Sequence, residues 1–293
     1  VGSYLTKELQ EHDYEVYGSD LIGKHPEGIP FEVSDLLDAD KIKDLVTRVQ
    51  PDAIINLAAI SSVGLSWKIP QKTMQVNVVG ALNILEAARM CDPMPKVLFI
   101  GSSEEYAQCD TPIHENTPLN ANNPYGISKM TQEKFAESYR ERYGMQVYCV
   151  RAFNHTGVGQ NENFVIPSWC KQVAAISRSG KPGTMTVGNL TVRRDFSHVK
   201  DVVRAYRMVL ESEDSSIIYN IGSGNSVLLK DLLDYIISLS EQPISVEIDP
   251  KLIRPVDTPV ICCDHSLITE TLGWESEYCI FDVLKEMFDY YTQ

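Results

Sequence analysis

Apolar and amphipathic segments alternate through the first half of the chain. Short apolar runs, each long enough for a buried strand, are followed by longer segments whose apolar residues recur with helical spacing. Buried strands that alternate with helices are typical of a parallel sheet with right-handed crossovers. We therefore predict a doubly wound α/β fold. The predicted strands are 14–20, 51–59, 96–103 and 145–154, and the predicted helices include 38–50, 73–91 and one that begins near Pro124.

The regular alternation of strands and helices ends after about residue 154. Helical patterns at 164–180, 228–240 and 283–293 are separated by shorter strand-like segments, one of them at 216–224. We predict that a smaller C-terminal α/β domain follows the doubly wound (Rossmann) domain. The predicted domains are a dinucleotide-binding domain at 1–153, to which the chain returns within about 186–223, and a substrate domain at 154–293.

The chain opens at Val1 inside a predicted helix. A doubly wound sheet normally begins with a central strand and a glycine-rich turn before that helix. Gly2 is a candidate for the last glycine of such a turn, because Asp20 follows 18 residues later, near the offset of a ribose-binding acid. We therefore expect that the first strand and most of the glycine turn are absent, that the sheet has a gap, and that a chain beginning at Val1 binds nicotinamide cofactor poorly.

Composition excludes several classes of function. The 293 residues are 43% hydrophobic and carry a net charge of −14, which disfavours nucleic acid or an anionic membrane as the main partner. No apolar run approaches the ~20 residues that span a bilayer, and we expect no signal peptide. The seven cysteines are scattered without metal-ligand spacing. We expect reduced thiols, a cytoplasmic location and no metal site.

Tyr125 and Lys129 stand four residues apart at the start of an amphipathic helix. Positions i and i+4 share a helix face, and an ammonium near a phenol lowers the pKa of the phenol. Tyr125 is therefore a candidate acid/base. The alternative is an ordinary pair on a helix surface, and these two residues alone do not decide between them.

Polar and small residues follow two of the predicted strands. Ser102, Ser103 and Glu104 end one strand, and the segment 56–59 ends another. Ligands bind at the carboxyl ends of strands in this architecture, although serines there are also common turn residues. Asn77 lies inside an apolar helix, where its buried amide needs a hydrogen-bond partner. A structural bond to a nearby loop explains this residue at least as well as a direct catalytic role.

The chain resembles an extended short-chain dehydrogenase/reductase that acts on nucleotide sugars. Within that family it is most similar to GDP-4-keto-6-deoxy-mannose reductases and to GDP-mannose 4,6-dehydratases. The matching segments run in family order through nearly the whole chain and are Asp20, 35–38 (DLLD), 56–59 (NLAA), 77–88 (NVVGALNILEAA), 101–107 (GSSEEYA), 124–129 (PYGISK), 151–160 (RAFNHTGVGQ), 188–206 (GNLTVRRDFSHVKDVVRAY), 219–224 (YNIGSG) and 254–259 (RPVDTP).

The resemblance implies roles for the matching residues. Tyr125 would be the acid/base, Lys129 would lower its pKa and hold the nicotinamide ribose, and Ser102 would bond the C4 oxygen of the sugar. Asp20 would bind the adenosine ribose hydroxyls. Its negative charge would repel the 2′-phosphate of NADP and so favours NAD, although many such reductases prefer NADP. The implied cofactor-binding set is Gly2, Asp20, Asp35, Leu36, Leu57, Ala58, Ala59, Asn77, Tyr125 and Lys129.

The resemblance also implies a site for a GDP-sugar or another nucleotide sugar. Arg194 and Arg254 are candidates for its diphosphate, because guanidinium groups match phosphate oxygens in pairs. Each could instead form a salt bridge, since Asp195 follows the first and Asp257 lies near the second. The full substrate-binding set is Ser103, Asn154, Asn163, Val187, Asn189, Arg194 and Arg254.

Several reactions fit this set of residues. The first is reduction of the C4 ketone of a GDP-4-keto-6-deoxy-hexose by NADH or NADPH, with Tyr125 delivering the proton. The second is GDP-mannose 4,6-dehydration, in which Glu104 would take the C5 proton. Epimerisation at C4, or dehydration of another nucleotide sugar, ranks after these. A nucleotide-sugar binder without cofactor is the alternative outside enzymes. The resemblance further implies a homodimer through a four-helix bundle.

Overall fold

The computed structural model describes residues 1–22, 28–109, 112–253 and 258–293. Its strands are β1 (Gly18–Asp20), β2 (Phe31–Val33), β3 (Ala53–Asn56), β4 (Lys96–Ser102), β5 (Val147–Ala152), β6 (Asn154–Thr156), β7 (Gly183–Val187), β8 (Arg193–His198), β9 (Ile218–Ile221), β10 (Ser226–Leu228), β11 (Ile244–Ile248) and β12 (Val260–Ile261). Its α-helices are α1 (Gly2–Gln10), α2 (Ala39–Val49), α3 (Val63–Lys68), α4 (Pro70–Met74), α5 (Gly80–Ala88), α6 (Pro124–Tyr143), α7 (Val165–Ser179), α8 (Val199–Glu211), α9 (Leu229–Ser238), α10 (Ser266–Leu272) and α11 (Ile280–Thr292).

The main sheet has four parallel strands in the order β3-β4-β5-β9. Alternate residues of its strands face opposite layers, as the pleat requires. Val97 and Phe99 pack with α2, α5 and α6, whereas Leu98 packs in the core that contains α8 and Leu5 of α1. Helices therefore cover both faces of the sheet, and the predicted doubly wound fold is confirmed.

A second parallel pair, β1 with β2, belongs to a separate sheet. Within the described residues no ladder joins β1 or β2 to β3. Doubly wound sheets commonly have the strand order 3-2-1-4-5-6, in which strand 1 of the complete fold lies between the pair 3-2 and the group 4-5-6. The break in the sheet thus falls where the sequence predicts a gap.

A second hydrophobic core lies among residues that follow Asn154 in the chain. Helices α7, α9 and α11 pack together there beside the parallel pair β7 and β11. Strand β8 pairs with β6, β10 and β12. Helix α8 and strand β9 instead pack in the core of the main sheet, and so do Ile268 of α10 and Trp274. The chain therefore returns to the main sheet twice, and the boundary at residue 153 stays a prediction.

Several features bear on the expected classes of function. No helix in the described parts of the chain is long and apolar enough to cross a membrane. Among the same residues, no group of three or more histidines, cysteines and carboxylates could hold a metal ion. All seven cysteines are free thiols.

Candidate active site

Strand β4 delivers Ser102 to the carboxyl edge of the main sheet. A 3-10 turn, Ser103–Glu105, follows the strand at once. The Ser102 hydroxyl accepts a hydrogen bond from the Glu104 N–H at 3.2 Å, and the Glu105 carboxylate accepts one from the Ser102 N–H at 2.6 Å. These two reciprocal bonds form a capping box. The turn therefore holds the serine hydroxyl at the end of a buried strand.

The start of helix α6 places Tyr125 against this turn. Asn123 caps the helix by accepting the Gly126 N–H at 2.9 Å, and Pro124 occupies the first turn, where its missing N–H costs nothing. Tyr125 is 9% exposed, and its phenol is hydrogen-bonded to the Ser102 side chain. A serine hydroxyl and this phenol therefore lie together at the strand end.

Gly126 permits the close approach of the helix to the turn. A Cβ atom at this position would lie 2.3 Å from the Glu104 carbonyl oxygen, which no side chain tolerates. The Glu104 carboxylate is half-buried and accepts a hydrogen bond from the Asn123 amide at 2.9 Å. Asn123 was not among the predicted site residues, although an Asn directly before a helix-starting Pro is a signal for an N-cap. It fixes both the helix start and the candidate base.

Lys129 is buried beneath the strand end, one turn along α6 from Tyr125. Its ammonium donates to the Ile100 carbonyl at 2.7 Å and to the Gln132 amide oxygen at 3.2 Å. Burial lowers the pKa of Lys129 to about 8, while Glu105 raises it. The lysine is therefore held by the strand and by its own helix.

The pKa of Tyr125 moves opposite to the prediction. Burial raises it well above 10, the bond to Ser102 lowers it, and the neighbouring Glu105 and Glu104 raise it further. The Lys129 ammonium is bonded to Ile100 and Gln132, and its predicted effect on the phenol stays a prediction. The phenol is thus a proton donor at neutral pH, not a phenolate.

Asn77 has the structural role that the sequence left open. Its amide oxygen accepts the Ile60 N–H at 2.8 Å, and its amide nitrogen donates to the Ile60 carbonyl at 3.1 Å and to Ser128 at 2.8 Å. These bonds fasten the loop after β3 to helix α6. Its proposed contact with cofactor is therefore indirect, through the position of the loop that carries Ala58 and Ala59.

The other candidate cofactor residues lie mainly at the ends of parallel strands. The carboxylates of Asp20, at the end of β1, and of Asp35, just after β2, are exposed. Each accepts a bond from a backbone N–H two residues on, at 3.3 and 2.9 Å respectively. Gly2 begins α1, and a Cβ atom there would meet Leu57, after β3, at 3.9 Å. Leu36 instead packs against Gly80, so its side chain holds α5 in place.

The predicted substrate residues divide into two groups. Ser103, at 8% exposure, and Asn154, half-buried in β6, lie close to the strand ends. Asn163 is exposed beside α7, and the Asn189 amide oxygen is used within its own loop by Thr191. Val187 is 1% exposed, with its side chain packed in the second core, and its contact with substrate stays a prediction.

Of the two arginines predicted to bind the diphosphate, the structure describes Arg194. Arg194 is 8% exposed and donates to the carbonyls of Arg193 at 2.8 Å and Thr258 at 2.7 Å. It therefore fastens the segment around Thr258, which leads into β12. Asp195 does not pair with it as the alternative required, because the bonds recorded for that carboxylate come from Ser223, Gly224 and Cys263. Arg254 lies outside the described residues.

A phenol, a hydroxyl and a buried ammonium thus lie at the carboxyl end of a strand in a doubly wound sheet. This fold and site define a short-chain dehydrogenase/reductase of the extended kind. The profile of the family described as GDP-mannose 4,6 dehydratase matches residues 1–287. The chain belongs to that family, and the resemblance stated from the motifs is confirmed.

Relatives of the chain include both enzymes that the motifs indicate. The GDP-6-deoxy-D-mannose reductase of Pseudomonas aeruginosa is 31% identical over 254 residues, 86% of this chain and 83% of the relative. The GDP-mannose 4,6 dehydratase 1 of Arabidopsis thaliana is 31% identical over 315 residues, 98% of this chain and 86% of the relative.

Solved structures share the fold over almost the whole chain. RMD from Pseudomonas aeruginosa complexed with NADPH is 28% identical, with a TM-score of 0.82 over 98% of this chain and 95% of that one. The UDP-glucose 4-epimerase of Thermus thermophilus is 24% identical, with a TM-score of 0.87 over 99% of this chain and 95% of that one. The second likeness concerns the fold alone.

Proposed function

We propose that this protein reduces the C4 ketone of a GDP-4-keto-6-deoxy-hexose with NADH or NADPH. The observation that carries the proposal is the buried Tyr125 phenol, which is bonded to the Ser102 side chain and, with a pKa that burial raises further above 10, carries its proton at neutral pH. A ketone reductase needs a proton donor at this position, since hydride addition to C4 creates an alkoxide. Similarity to a reductase over 86% of the chain supports the same reaction.

The residues at the sheet edge fit a dinucleotide in part. Exposed carboxylates follow β1 and β2, the small and exposed Ala58 follows β3, and α1 begins beside Leu57. Asp20 would hold the adenosine ribose, Asp35 the adenine, and Ala58 would let the cofactor approach the strand end. When bound, the nicotinamide supplies the hydride. Asp20 favours NAD by charge, whereas the 28% identical neighbour was solved with NADPH, so both cofactors belong in the test.

In this mechanism the residues of the chain hold the ketone and deliver one proton. Ser102 orients the C4 oxygen toward the phenol, because its hydroxyl already bonds Tyr125. Tyr125 gives its proton to that oxygen as the negative charge develops. Buried Ser103 and half-buried Asn154, near the strand ends, would contact the sugar. Lys129, one turn along α6 and bonded to the Ile100 carbonyl, would stabilise through its positive charge the phenolate that remains.

Dehydration of GDP-mannose is the second candidate, and Glu104 favours it. The Glu104 carboxylate is beside Tyr125 in the turn and is held by Asn123 at 2.9 Å. Ketone reduction has no need for a base here, whereas elimination requires one for the C5 proton. Epimerisation at C4 and binding without chemistry remain the lesser alternatives.

Product analysis separates these candidates. The protein is incubated with the 4-keto-6-deoxy derivative of GDP-mannose and NADPH or NADH, and separately with GDP-mannose and NADP or NAD. Mass spectrometry is expected to show a gain of two hydrogens in the first mixture and no loss of water in the second. Loss of water from GDP-mannose would instead support the dehydratase. Binding of the nucleotide sugar without turnover in either mixture would support the alternative of a non-catalytic nucleotide-sugar binder.

We also propose that the protein acts in the cytoplasm as a homodimer. Apolar side chains are exposed on the helices that the family resemblance assigns to a four-helix bundle, with Val79 and Ile127 each 45% exposed. Pairing of these faces would remove that apolar surface from water. The seven free thiols suit a reducing compartment.

A further inference from the structure

Glu105 is a fully buried acid directly beneath the candidate active site. It is 0% exposed, and one carboxylate oxygen accepts the Ser102 N–H at 2.6 Å. The second oxygen, Oε2, is buried without a hydrogen-bond partner among the described residues. The preceding strand makes room for the group, since a Cβ atom at Gly101 would lie 2.5 Å from the first oxygen. The proposed reaction gives this acid no part.

Of the charged groups near Glu105, Arg151 and Glu133 form an ion pair with each other, whereas Lys129 does not share in that pair. Arg151, on β5, is paired in two bonds with Glu133 of α6, at 2.6 and 3.0 Å. Lys129, also on α6, donates within the described part of the chain to two neutral oxygen atoms, those of Ile100 and Gln132. A buried ammonium without an anionic partner is unfavourable unless an opposite charge lies near it. Glu105 and Lys129 are bonded to the same strand end, at the Ser102 N–H and the Ile100 carbonyl, so among the described residues Glu105 is the buried acid placed to balance Lys129.

We propose that Glu105 is a positioning residue of this site: it holds the Ser102 hydroxyl against Tyr125 and, through its charge, sets the protonation of Lys129. The first part follows from the Ser102 N–H bond, which fixes the backbone that carries the hydroxyl. The second part follows from the pairing of the neighbouring charges. Its kinetic consequence rests on the proposed function, whereas its charge can be measured without any reaction.

The titration behaviour agrees with this geometry. Burial and the neighbouring Glu133 raise the pKa of Glu105 to about 8, while the Ser102 N–H, Arg151 and Lys129 lower it. The pKa of Lys129 is also about 8, lowered by burial and raised by Glu105 and, to a smaller extent, Cys149. The two groups therefore change charge in the same range, and ionisation of Glu105 favours the ammonium form of Lys129.

The test uses Glu105→Gln, which keeps the shape and the acceptor for Ser102 but removes the charge. Glu141→Gln, at an exposed position on α6, is the matched control. The free energy of unfolding of each protein is measured in urea at several pH values. Because the folded pKa of Glu105 is raised, its contribution to wild-type stability is present below pH 4.5 and is lost as the pH rises to about 8. The wild type should therefore lose stability relative to Glu105→Gln across this range, and not relative to the control.

The kinetic arm measures kcat/KM for ketone reduction against pH. Without the Glu105 charge, Lys129 loses its proton at lower pH, so the high-pH limb of the profile should move down by about 1 unit or more. Glu105→Ala also removes the acceptor for Ser102, and it should lower kcat further with little change in KM.

The outcomes distinguish the two proposals. A stability difference between wild type and Glu105→Gln that stays flat with pH, or an unmoved profile in an active enzyme, overturns the role of Glu105. If the wild type reduces no ketone, the proposed function fails and the stability arm alone decides. If Glu105→Gln does not fold, NMR titration of the carboxyl carbon in the wild type replaces it, and a midpoint near 4.5 contradicts the proposal.

Discussion

The Tyr125 phenol is hydrogen-bonded to the Ser102 hydroxyl, although the two residues come from different elements of the fold. Ser102 ends strand β4, and Tyr125 stands in the first turn of α6. Gly126 and the Asn123 cap let the helix start almost in contact with the strand end. The bond to Ser102 fixes the phenol, while burial raises its pKa, so Tyr125 is held in place as a protonated group, which is the state that ketone reduction requires.

Replacing Tyr125 by Phe should remove proton transfer and leave the fold intact. The ring that fills the buried site is kept, and only the hydroxyl is lost. General acid catalysis typically contributes ~10²–10⁴-fold, so kcat should fall by about that factor. Steady-state kinetics with the ketone substrate measure the loss, and circular dichroism checks the fold. Tyr143→Phe, at the exposed end of the same helix, should keep full activity. Equal rates for Tyr125→Phe and wild type would remove Tyr125 from the mechanism.

Glu104→Gln should separate reduction from dehydration. Glutamine keeps an oxygen for the Asn123 amide, so the turn is preserved, but it cannot take a proton. Reduction at C4 never involves the C5 proton and should continue at close to the wild-type rate. Dehydration of GDP-mannose should fall by ~10²-fold or more. A large loss of ketone reduction in this variant would contradict the assigned roles.

The stability of the protein should depend on Lys129 at alkaline pH. Burial lowers the pKa of the folded-state ammonium from 10.5 to about 8. The unfolded chain therefore holds more protons than the folded one between these values, and the contribution of Lys129 to stability improves as the pH rises from about 8 to 10.5. Urea unfolding of wild type and Lys129→Met, compared over this range, should show the wild type gaining relative to the variant. Parallel curves would mean that the ammonium is not penalised by burial.

Loss of the Asn77 amide should destabilise the loop after β3. Asn77→Ala leaves the half-buried Ile60 N–H and carbonyl without their partner, at about 1–3 kcal/mol for each unpaired group. We expect a loss of roughly 2–4 kcal/mol in the free energy of unfolding. Asn83→Ala removes the single bond from a side-chain amide to the Leu36 carbonyl and should cost less. A smaller effect at Asn77 than at Asn83 would contradict the structural role.

The proposed dimer should dissociate when charge is placed on its helices. Light scattering is expected to give a dimer for the wild type at micromolar concentration. Val79→Arg and Ile127→Arg together should give a monomer, because two buried arginines without partners oppose association. Ile248→Arg is the control, since Ile248 is 58% exposed on β11, away from these helices. A monomeric wild type, or a dimer that survives the double change, would point to a different assembly.

The local pattern was enough to predict the frame of the site. The alternation of apolar runs and helical segments predicted the doubly wound sheet, because the spacing of apolar residues along the chain differs between strands and helices. Carboxyl ends of parallel strands share one edge, so Ser102, Glu104 and the loop after β3 were expected there before any contact was known. The four-residue spacing likewise placed Tyr125 and Lys129 on one helix.

Tertiary packing alone decided how these residues are used. Spacing along a helix does not say where a long ammonium points, and here Ile100 and Gln132 hold Lys129. Nor does it reveal burial, which raises the pKa of Tyr125 and places Val187 in a core. Glu105 escaped prediction because its neighbour Glu104 is an equally good candidate in sequence, and only the packing of β4 against α6 and β5 turns one acid inward. Charge and solvation depend on residues brought together from distant segments, and those contacts exist only in the folded chain.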